Sequence, residues 1–203
     1  MSDTNFGNRE VLDLSLFKAI QNGGYNLYLR HGERDNKSEG RVDFKDCTTQ
    51  SNLTKKGKEQ AIQIGEIFKK KNLPIQYPVY TSPFCRTKDT GKLAFEERNI
   101  EVITELADIN YLNIDNPNEE QKIVKEKLIR LFETIPNKAL NRIFIAHNHT
   151  FNKHIQCPDN NSSGLCFLDT IILQPKGEGK EYEFIGLISL DQFIKWSDDK
   201  NHE

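Results

Sequence analysis

The segment Arg142-Ile143-Phe144-Ile145-Ala146-His147-Asn148-His149 contains the clearest buried strand of the chain, because a β-branched and aromatic run stops at three polar residues. A second apolar run at residues 25–29, Tyr-Asn-Leu-Tyr-Leu, also predicts a strand. Apolar residues at helical spacing occur at 54–71, 86–95 and 119–135, each between predicted strands. This alternation predicts an α/β fold, a three-layer α/β/α sandwich with a mostly parallel central sheet.

The remaining predicted elements lie between these segments and on either side of them. They are a helix at 11–21 and strands at 78–81, 101–103, 169–173 and 183–189. The last two strands are joined by a glycine-containing turn, which predicts a closing hairpin. No repeat or linker divides the chain, so we expect one domain over residues 1–203, with flexible tails at about 1–10 and 197–203.

Composition and charge exclude several classes of protein. The chain has 203 residues, enough for a single buried core, and its 12 Gly and 7 Pro follow no collagen-like period. The 28 basic residues stand against 30 acidic ones, which leaves no cationic excess for nucleic-acid binding. No apolar run is long enough to span a bilayer, so a membrane-spanning protein is excluded.

The N-terminus and the cysteines bear on the cellular compartment. The polar first ten residues lack the basic and apolar regions of a secretory signal, which favours the cytoplasm for the chain as given. Removal of a signal would instead place the protein in the periplasm or outside the cell, where its four cysteines are free to pair. Disulfides between Cys157 and Cys166 and between Cys47 and Cys85 are two open alternatives to free thiols. The oligomeric state also stays open.

The residues that follow the predicted strands share one chemistry. Ligands in such sheets bind beyond the carboxyl ends of the strands. In this chain the residues at the carboxyl ends of the predicted strands are Arg30-His31-Gly32-Glu33, Ser82-Pro83-Phe84-Cys85-Arg86-Thr87 and His147-Asn148-His149. Arginine binds phosphate through a planar fork of donors, and an imidazole held in one tautomer can attack phosphorus and carry the phosphoryl group. The strand ends therefore predict a phosphate site that needs no metal or other cofactor.

Four segments, in order, resemble motifs of the histidine phosphatase superfamily, which includes phosphoglycerate mutase and many bacterial phosphatases. They are Leu27-Tyr28-Leu29-Arg30-His31-Gly32-Glu33, residues 52–61, residues 80–90, and Phe144-Ile145-Ala146-His147-Asn148. The similarity covers about residues 25–151, and residues 46–53 further resemble a bacterial subgroup whose members are often exported. The resemblance implies a phosphoglycerate mutase-like fold and a metal-independent phosphatase that hydrolyses phosphate monoesters through a phosphohistidine.

The resemblance also implies a role for each matching residue. His31 is the expected nucleophile and phosphohistidine carrier, while Arg30, Arg86 and His147 are expected to bind the phosphoryl group. The full expected set comprises the catalytic residues His31, Asp108 and His147 and the substrate-binding residues Arg30, Gly32, Glu33 and Arg86.

The proton donor has three candidates. The family usually places a Glu or Asp after the third strand, often in a Leu-x-Glu pattern, and this chain offers Glu105 and Asp108 there. Asp108 is favoured because it stands in a Leu-Ala-Asp sequence, and Glu33 is a third candidate because it directly follows the signature. His147-Asn148 argues against the branch of the superfamily that has a His-Asp pair at this position.

Substrate specificity is expected in two polar loops, at residues 34–50 and 109–118. The first loop is either a solvated lid or a recognition surface for an anionic substrate, through the basic residues Arg34, Lys37, Arg41 and Lys45. The expected partner is a small phosphorylated substrate or a phosphoprotein.

Three other functions compete with a phosphatase. A mutase would retain the phosphoryl group and exclude water with longer insertions than this chain has. A zinc hydrolase would use His147, His149 and His154 as metal ligands. A non-catalytic module that binds a phosphorylated ligand would keep the fold without the reaction.

Overall fold

The structure is a computed structural model in which residues 13–151, 155–158 and 162–199 are described. The helices in these ranges are α1 (Leu14–Asn22), α2 (Lys55–Lys70), α3 (Cys85–Phe95), α4 (Glu119–Glu133) and α5 (Leu190–Asp198). The strands are β1 (Asn26–Arg30), β2 (Ile75–Thr81), β3 (Ile100–Val102), β4 (Asn141–Ala146), β5 (Gln156–Cys157), β6 (Ser162–Ser163), β7 (Thr170–Pro175) and β8 (Tyr182–Ile188). Short 3-10 helices cover Cys47–Thr49, Glu97–Asn99 and Thr104–Asn113. None of the helices in the described ranges has the length and apolar character needed to cross a membrane.

The central sheet has the strand order β3-β2-β4-β1-β7-β8. Strands β3, β2, β4 and β1 run parallel, whereas β7 pairs antiparallel with β1 and with β8. Arg30 at the end of β1 lies opposite Ala146 at the end of β4, so the residues after these strands emerge side by side. The predicted α/β sandwich with a mostly parallel sheet is confirmed, and the closing hairpin is its antiparallel edge.

Apolar layers cover both faces of the sheet. Leu27 and Leu29 of β1 belong to one buried cluster, which also contains aromatic residues from α1, α2 and α5. Tyr28, which points to the opposite face, belongs to a second buried cluster with Phe132 of α4 and Phe144 of β4. Each fully buried side chain of this size contributes about 1.5–3 kcal/mol. With both faces covered, the strand ends are the part of the sheet open to a ligand.

The C-terminal helix differs from the sequence prediction. Ser189 caps α5, because its hydroxyl accepts from the Gln192 N–H and the Gln192 side chain accepts in turn from the Ser189 N–H. The helix buries Trp196, which stacks on Phe17 with ring centroids 4.4 Å apart. Helix α5 continues to Asp198, so it overlaps the start of the tail predicted at about 197–203, which stays a prediction. Residues 1–10, the other predicted tail, lie outside the described residues.

Two internal elements also differ from the prediction. Strand β2 begins at Ile75, three residues before the predicted start at 78, and its register with β4 shifts between Gln76 and Tyr80. Pro78 lacks an N–H, which hides the first half of this strand from pattern analysis. The 3-10 helix Thr104–Asn113 was not predicted, because it has no regular apolar period.

Candidate active site

Three strand ends meet at the carboxyl edge of the sheet. The His31 N–H donates to Ala146 O at 3.1 Å, and the Ser82 N–H donates to Ile145 O at 3.1 Å. These bonds extend the parallel pairing by one residue and bring the side chains of His31, Ser82 and His147 together. His147 Nε2 lies 2.9 Å from Ser82 Oγ, and the ring centroids of His31 and His147 are 5.8 Å apart.

His31 is buried, and its orientation fixes its tautomer. The side chain is only 2% exposed, and Nδ1 donates to Gly32 O at 2.7 Å. A carbonyl oxygen can only accept, so Nδ1 carries the proton of the neutral ring and Nε2 keeps its lone pair. Burial, together with the nearby His147 and Arg86, lowers the pKa of His31 well below its usual 6.5. The ring is therefore neutral at physiological pH and has a free nucleophilic nitrogen.

Two glycines allow the loop after β1 to touch the first turn of α2. A Cβ added to Gly32 would lie 2.5 Å from Gly57 O, and a Cβ added to Gly57 would lie 2.0 Å from Glu33 O. Backbone atoms at these distances would clash with a Cβ, so a side chain at either position would push the loop and α2 apart. The Gly32 N–H already donates to Thr90 Oγ1 at 3.1 Å. Close packing therefore explains the glycine, and its predicted contact with substrate stays a prediction.

Arg30 is anchored through one end of its guanidinium. Nη1 donates to Leu165 O, and the guanidinium carbon lies 4.2 Å from the ring centroid of Phe167. Burial and repulsion from Arg34 lower the pKa of Arg30 to about 10, so it stays charged near neutral pH. Arg30 Nε is buried and finds no hydrogen-bond acceptor within the described part of the chain.

Arg86 is anchored in the same way. Nη1 donates to Glu39 Oε1 at 2.7 Å and to Ser51 O at 3.3 Å, and the guanidinium carbon lies 4.2 Å from the ring centroid of Phe84. Burial lowers the pKa of Arg86 as well. Its Nε is again buried with no acceptor among residues 13–151, 155–158 and 162–199. Buried donors are rarely left unpaired in native proteins, so two such Nε groups indicate a site for an anion.

The backbone of His147 is held by the core. The Tyr28 hydroxyl donates to His147 O at 2.8 Å and accepts from the His147 N–H at 3.1 Å. The ring stands edge-on to Phe84, with centroids 4.6 Å apart. Burial lowers the pKa of His147 to about 3, with smaller contributions from Arg86 and Arg30. His147 is thus a second neutral imidazole at the same sheet edge.

The three candidate proton donors have different surroundings. Glu33 pairs with Lys56 at 3.0 Å, and Glu105 pairs with Lys127 at 2.8 Å. These lysines lower the pKa of both carboxyl groups, which keeps them ionised. The pKa of Asp108 is instead raised by partial burial. Among the three candidates Asp108 has the raised pKa, and its role as the proton donor stays a prediction.

Asp108 lies on the 3-10 helix Thr104–Asn113, at the same edge of the sheet as the histidines. The Ile103 N–H donates to Thr81 O at 2.8 Å, so this helix starts where β2 ends. Further along it, Asn110 Oδ1 lies 3.4 Å from Nδ1 of His149, in the loop after β4. Asp108 is exposed to solvent between these two contacts.

The sequence of this region matches a family model. The model of the histidine phosphatase superfamily (branch 1) matches residues 27–148. The chain belongs to the histidine phosphatase superfamily. No curated protein sequence matches it.

Solved structures with the histidine phosphatase fold resemble the chain at low sequence identity. The protein histidine phosphatase SixA, solved with tungstate, has a TM-score of 0.51 at 15% identity and covers 82% of this chain and 97% of its own. Phosphoserine phosphatase from Entamoeba histolytica, solved with 3-phosphoglyceric acid, has a TM-score of 0.50 at 15% identity, with 83% and 98% covered. A mycobacterial hydrolase has a TM-score of 0.52 at 16% identity, with 82% and 99% covered. These likenesses support the fold.

Two disulfides flank the site of this histidine phosphatase superfamily member. They are Cys47–Cys85, with Cα atoms 5.8 Å apart, and Cys157–Cys166, with Cα atoms 5.0 Å apart. Cys85 directly precedes Arg86, and Cys166 lies between the two residues that contact Arg30. Both pairings that the sequence left open are formed, and each one tethers a segment that holds a site arginine.

Sequence reasoning missed four residues of this site. Ser82 and Phe84 lie inside the segment 80–90 that resembles a family motif, so their place in that motif could have indicated them. The sequence around Glu39 and Phe167 has no motif that points to a role in the site. For the zinc alternative, His154 lies outside the described residues. Within the described ranges, no three His, Cys, Asp or Glu side chains are grouped so that they could hold a metal ion.

Proposed function

We propose that this protein is a phosphatase that hydrolyses phosphate monoesters through a phosphohistidine on His31. The observation that carries the proposal is a buried neutral His31 beside Arg30 and Arg86, whose Nε donors have no partner among the described residues. Phosphoryl oxygens are acceptors that satisfy such donors, and the two guanidinium charges stabilise the charge that develops during transfer. The superfamily membership supports the same activity.

The proposed reaction has two steps. First, His31 Nε2 attacks phosphorus, the bond from phosphorus to the leaving oxygen breaks, and Asp108 donates its proton to that oxygen. Second, a water attacks the phosphohistidine, the phosphorus–nitrogen bond breaks, and Asp108 takes a proton from the water. Arg30, Arg86 and His147 hold the phosphoryl oxygens in both steps. Phosphate leaves, and His31 and Asp108 return to their starting states.

Solvent exposure of Asp108 favours hydrolysis over mutase transfer. A mutase must keep water from the phosphohistidine until the phosphoryl group has been returned to a substrate. A proton donor that is open to solvent lets water reach its carboxyl group, as the second step of hydrolysis requires.

The first test is an assay with a metal chelator. We expect hydrolysis of 4-nitrophenyl phosphate to persist in excess EDTA, because the arginines supply the positive charge that a metal would otherwise provide. Activity that disappears with EDTA and returns with zinc would contradict the mechanism and favour the zinc hydrolase. A folded protein that hydrolyses neither this ester nor a panel of alkyl phosphates would contradict the proposed function.

The second test concerns the proton donor. Asp108→Asn should lower kcat/KM for an alkyl phosphate such as glycerol phosphate by about 10²- to 10⁴-fold. The loss with 4-nitrophenyl phosphate should be much smaller, because nitrophenolate leaves without protonation. Since the pKa of Asp108 is raised, the wild-type rate is maintained to higher pH and falls as pH rises through that pKa, and the variant loses this dependence. Glu105→Gln is the matched control, and a leaving-group effect there would reassign the donor.

A further inference from the structure

Glu39 lies in the loop at 34–50, yet its carboxylate reaches the end of a buried arginine. Glu39 Oε1 accepts from Arg86 Nη1 at 2.7 Å and from the Ser51 N–H at 2.9 Å. Arg86 Nη1 also donates to Ser51 O at 3.3 Å, so the three residues form a closed arrangement. Arg86 is 6% exposed and the Glu39 side chain 21% exposed, which places this pair among partly desolvated, charge-assisted contacts rather than surface ion pairs.

The contact uses one part of the guanidinium and leaves another open. In a planar guanidinium, Nε–H and one Nη2–H point along a common edge that Nη1 does not share. The hydrogen bonds that Arg86 makes to described residues leave from Nη1, whereas its Nε is buried without an acceptor there. A phosphoryl group could therefore bind two donors on the Nε edge while Glu39 stays in place.

We propose that Glu39 is a positioning residue whose carboxylate fixes Arg86 so that the Nε edge faces the phosphoryl oxygens. The inference rests on the proposed function, because that function gives Arg86 its role. Arg30 has the same arrangement with a backbone acceptor, since its Nη1 donates to Leu165 O and its Nε is also unpaired within the described residues. Both arginines are thus held at Nη1, and neither Nε has an acceptor in the part of the chain that the structure describes.

The charge of Glu39 has a second effect. Its Oε2 lies 3.9 Å from Nη1 of Arg34, so one carboxylate stands between two arginines. A negative charge at this place offsets the repulsion between Arg34 and Arg86. A neutral acceptor would hold Arg86 less firmly, because hydrogen bonds with two charged partners are the stronger ones.

The experiment compares Glu39→Ala and Glu39→Gln with wild type and with Glu59→Ala. Glu59 is an exposed control that pairs with Lys55 on α2, away from the arginines. We expect Glu39→Ala to weaken binding of inorganic phosphate, measured by calorimetry, and to lower kcat/KM, each by about 10- to 100-fold. Glu39→Gln should lose less, since its amide oxygen can still accept from Arg86 and from the Ser51 N–H. Circular dichroism checks that each variant is folded.

A double-mutant cycle separates positioning from a general structural role. If Glu39 acts through Arg86, then Glu39→Ala should have no further effect on phosphate binding in an Arg86→Ala background. Additive losses would overturn the inference. Tighter phosphate binding by Glu39→Ala would also overturn it, because the carboxylate would then occupy the place of the phosphoryl group.

Failure of this inference is distinguishable from failure of the proposed function. A wild type that hydrolyses esters and binds phosphate, with an unchanged Glu39→Ala variant, overturns the role of Glu39 alone. A folded wild type that neither hydrolyses esters nor binds phosphate overturns both.

Discussion

His31→Ala is expected to lower kcat for phosphate-monoester hydrolysis by about 10⁴-fold or more, because the variant has no nitrogen on which the phosphohistidine can form. The two arginines remain, so the variant should still bind inorganic phosphate. Initial rates with 4-nitrophenyl phosphate measure the loss. Rapid quenching with a radiolabelled substrate should trap a label that is stable in alkali and labile in acid on the wild type and none on the variant.

His149→Asn is the matched control for this variant. His149 is a buried histidine in the loop after β4, and its side-chain contacts within the described residues are with Asn110 and Phe151 rather than with the site arginines. We expect this control to keep its rate within a few-fold of wild type. Retention of most of the activity by His31→Ala would refute the phosphohistidine, and a large loss in His149→Asn would revive the zinc alternative.

Replacing both Cys47 and Cys85 with serine is expected to lower the free energy of unfolding by about 4 kcal/mol. The disulfide spans a sequence separation of 38, and its loss returns the conformational freedom of that loop to the unfolded chain. Urea unfolding without reductant measures the change. Activity should fall as well, because the loop that carries Glu39 loses its covalent tie to the residue before Arg86.

The second disulfide is the matched control for the first. Cys157–Cys166 spans a separation of only 9, so replacing it with two serines should cost about 2.5 kcal/mol. The decisive comparison is which of the two replacements lowers the free energy of unfolding more. Equal costs, or a larger cost for the shorter loop, would show that local strain or packing determines their contribution instead of chain entropy.

Sequence alone predicts the features of this protein that are encoded locally. Strand β4 is a continuous β-branched and aromatic run, and the structure buries all of it. Thr54 directly precedes α2, where threonine is a favoured capping residue, and its hydroxyl accepts from the Gly57 N–H at 3.0 Å. Because parallel strands align their carboxyl ends, the convergence of Arg30, His31 and His147 at one edge also follows from the strand pattern.

Features that depend on distant contacts were not predictable. The partner of Arg86 is one of several acidic residues in a loop without period, 47 positions away along the chain. Among the candidate proton donors, neighbouring lysines distinguish Glu33 and Glu105 from Asp108, and only the folded chain brings these lysines near. Helix α5 has a capping pair at Ser189 and Gln192. Because the helix is short, the apolar pattern of its sequence does not distinguish it from a continuation of the preceding strand.

The two arginines of the proposed phosphate site also bear on the stability of the folded chain. Arg86 is buried and Arg30 is partly buried, and the positive charge of Arg34 acts on both. Repulsion among these charges, and the two buried Nε groups that have no acceptor among the described residues, lower the free energy of unfolding. An oxyanion that binds the folded chain alone removes both penalties and adds its own binding free energy. We therefore expect added inorganic phosphate, bound as proposed, to raise the free energy of unfolding of the folded chain.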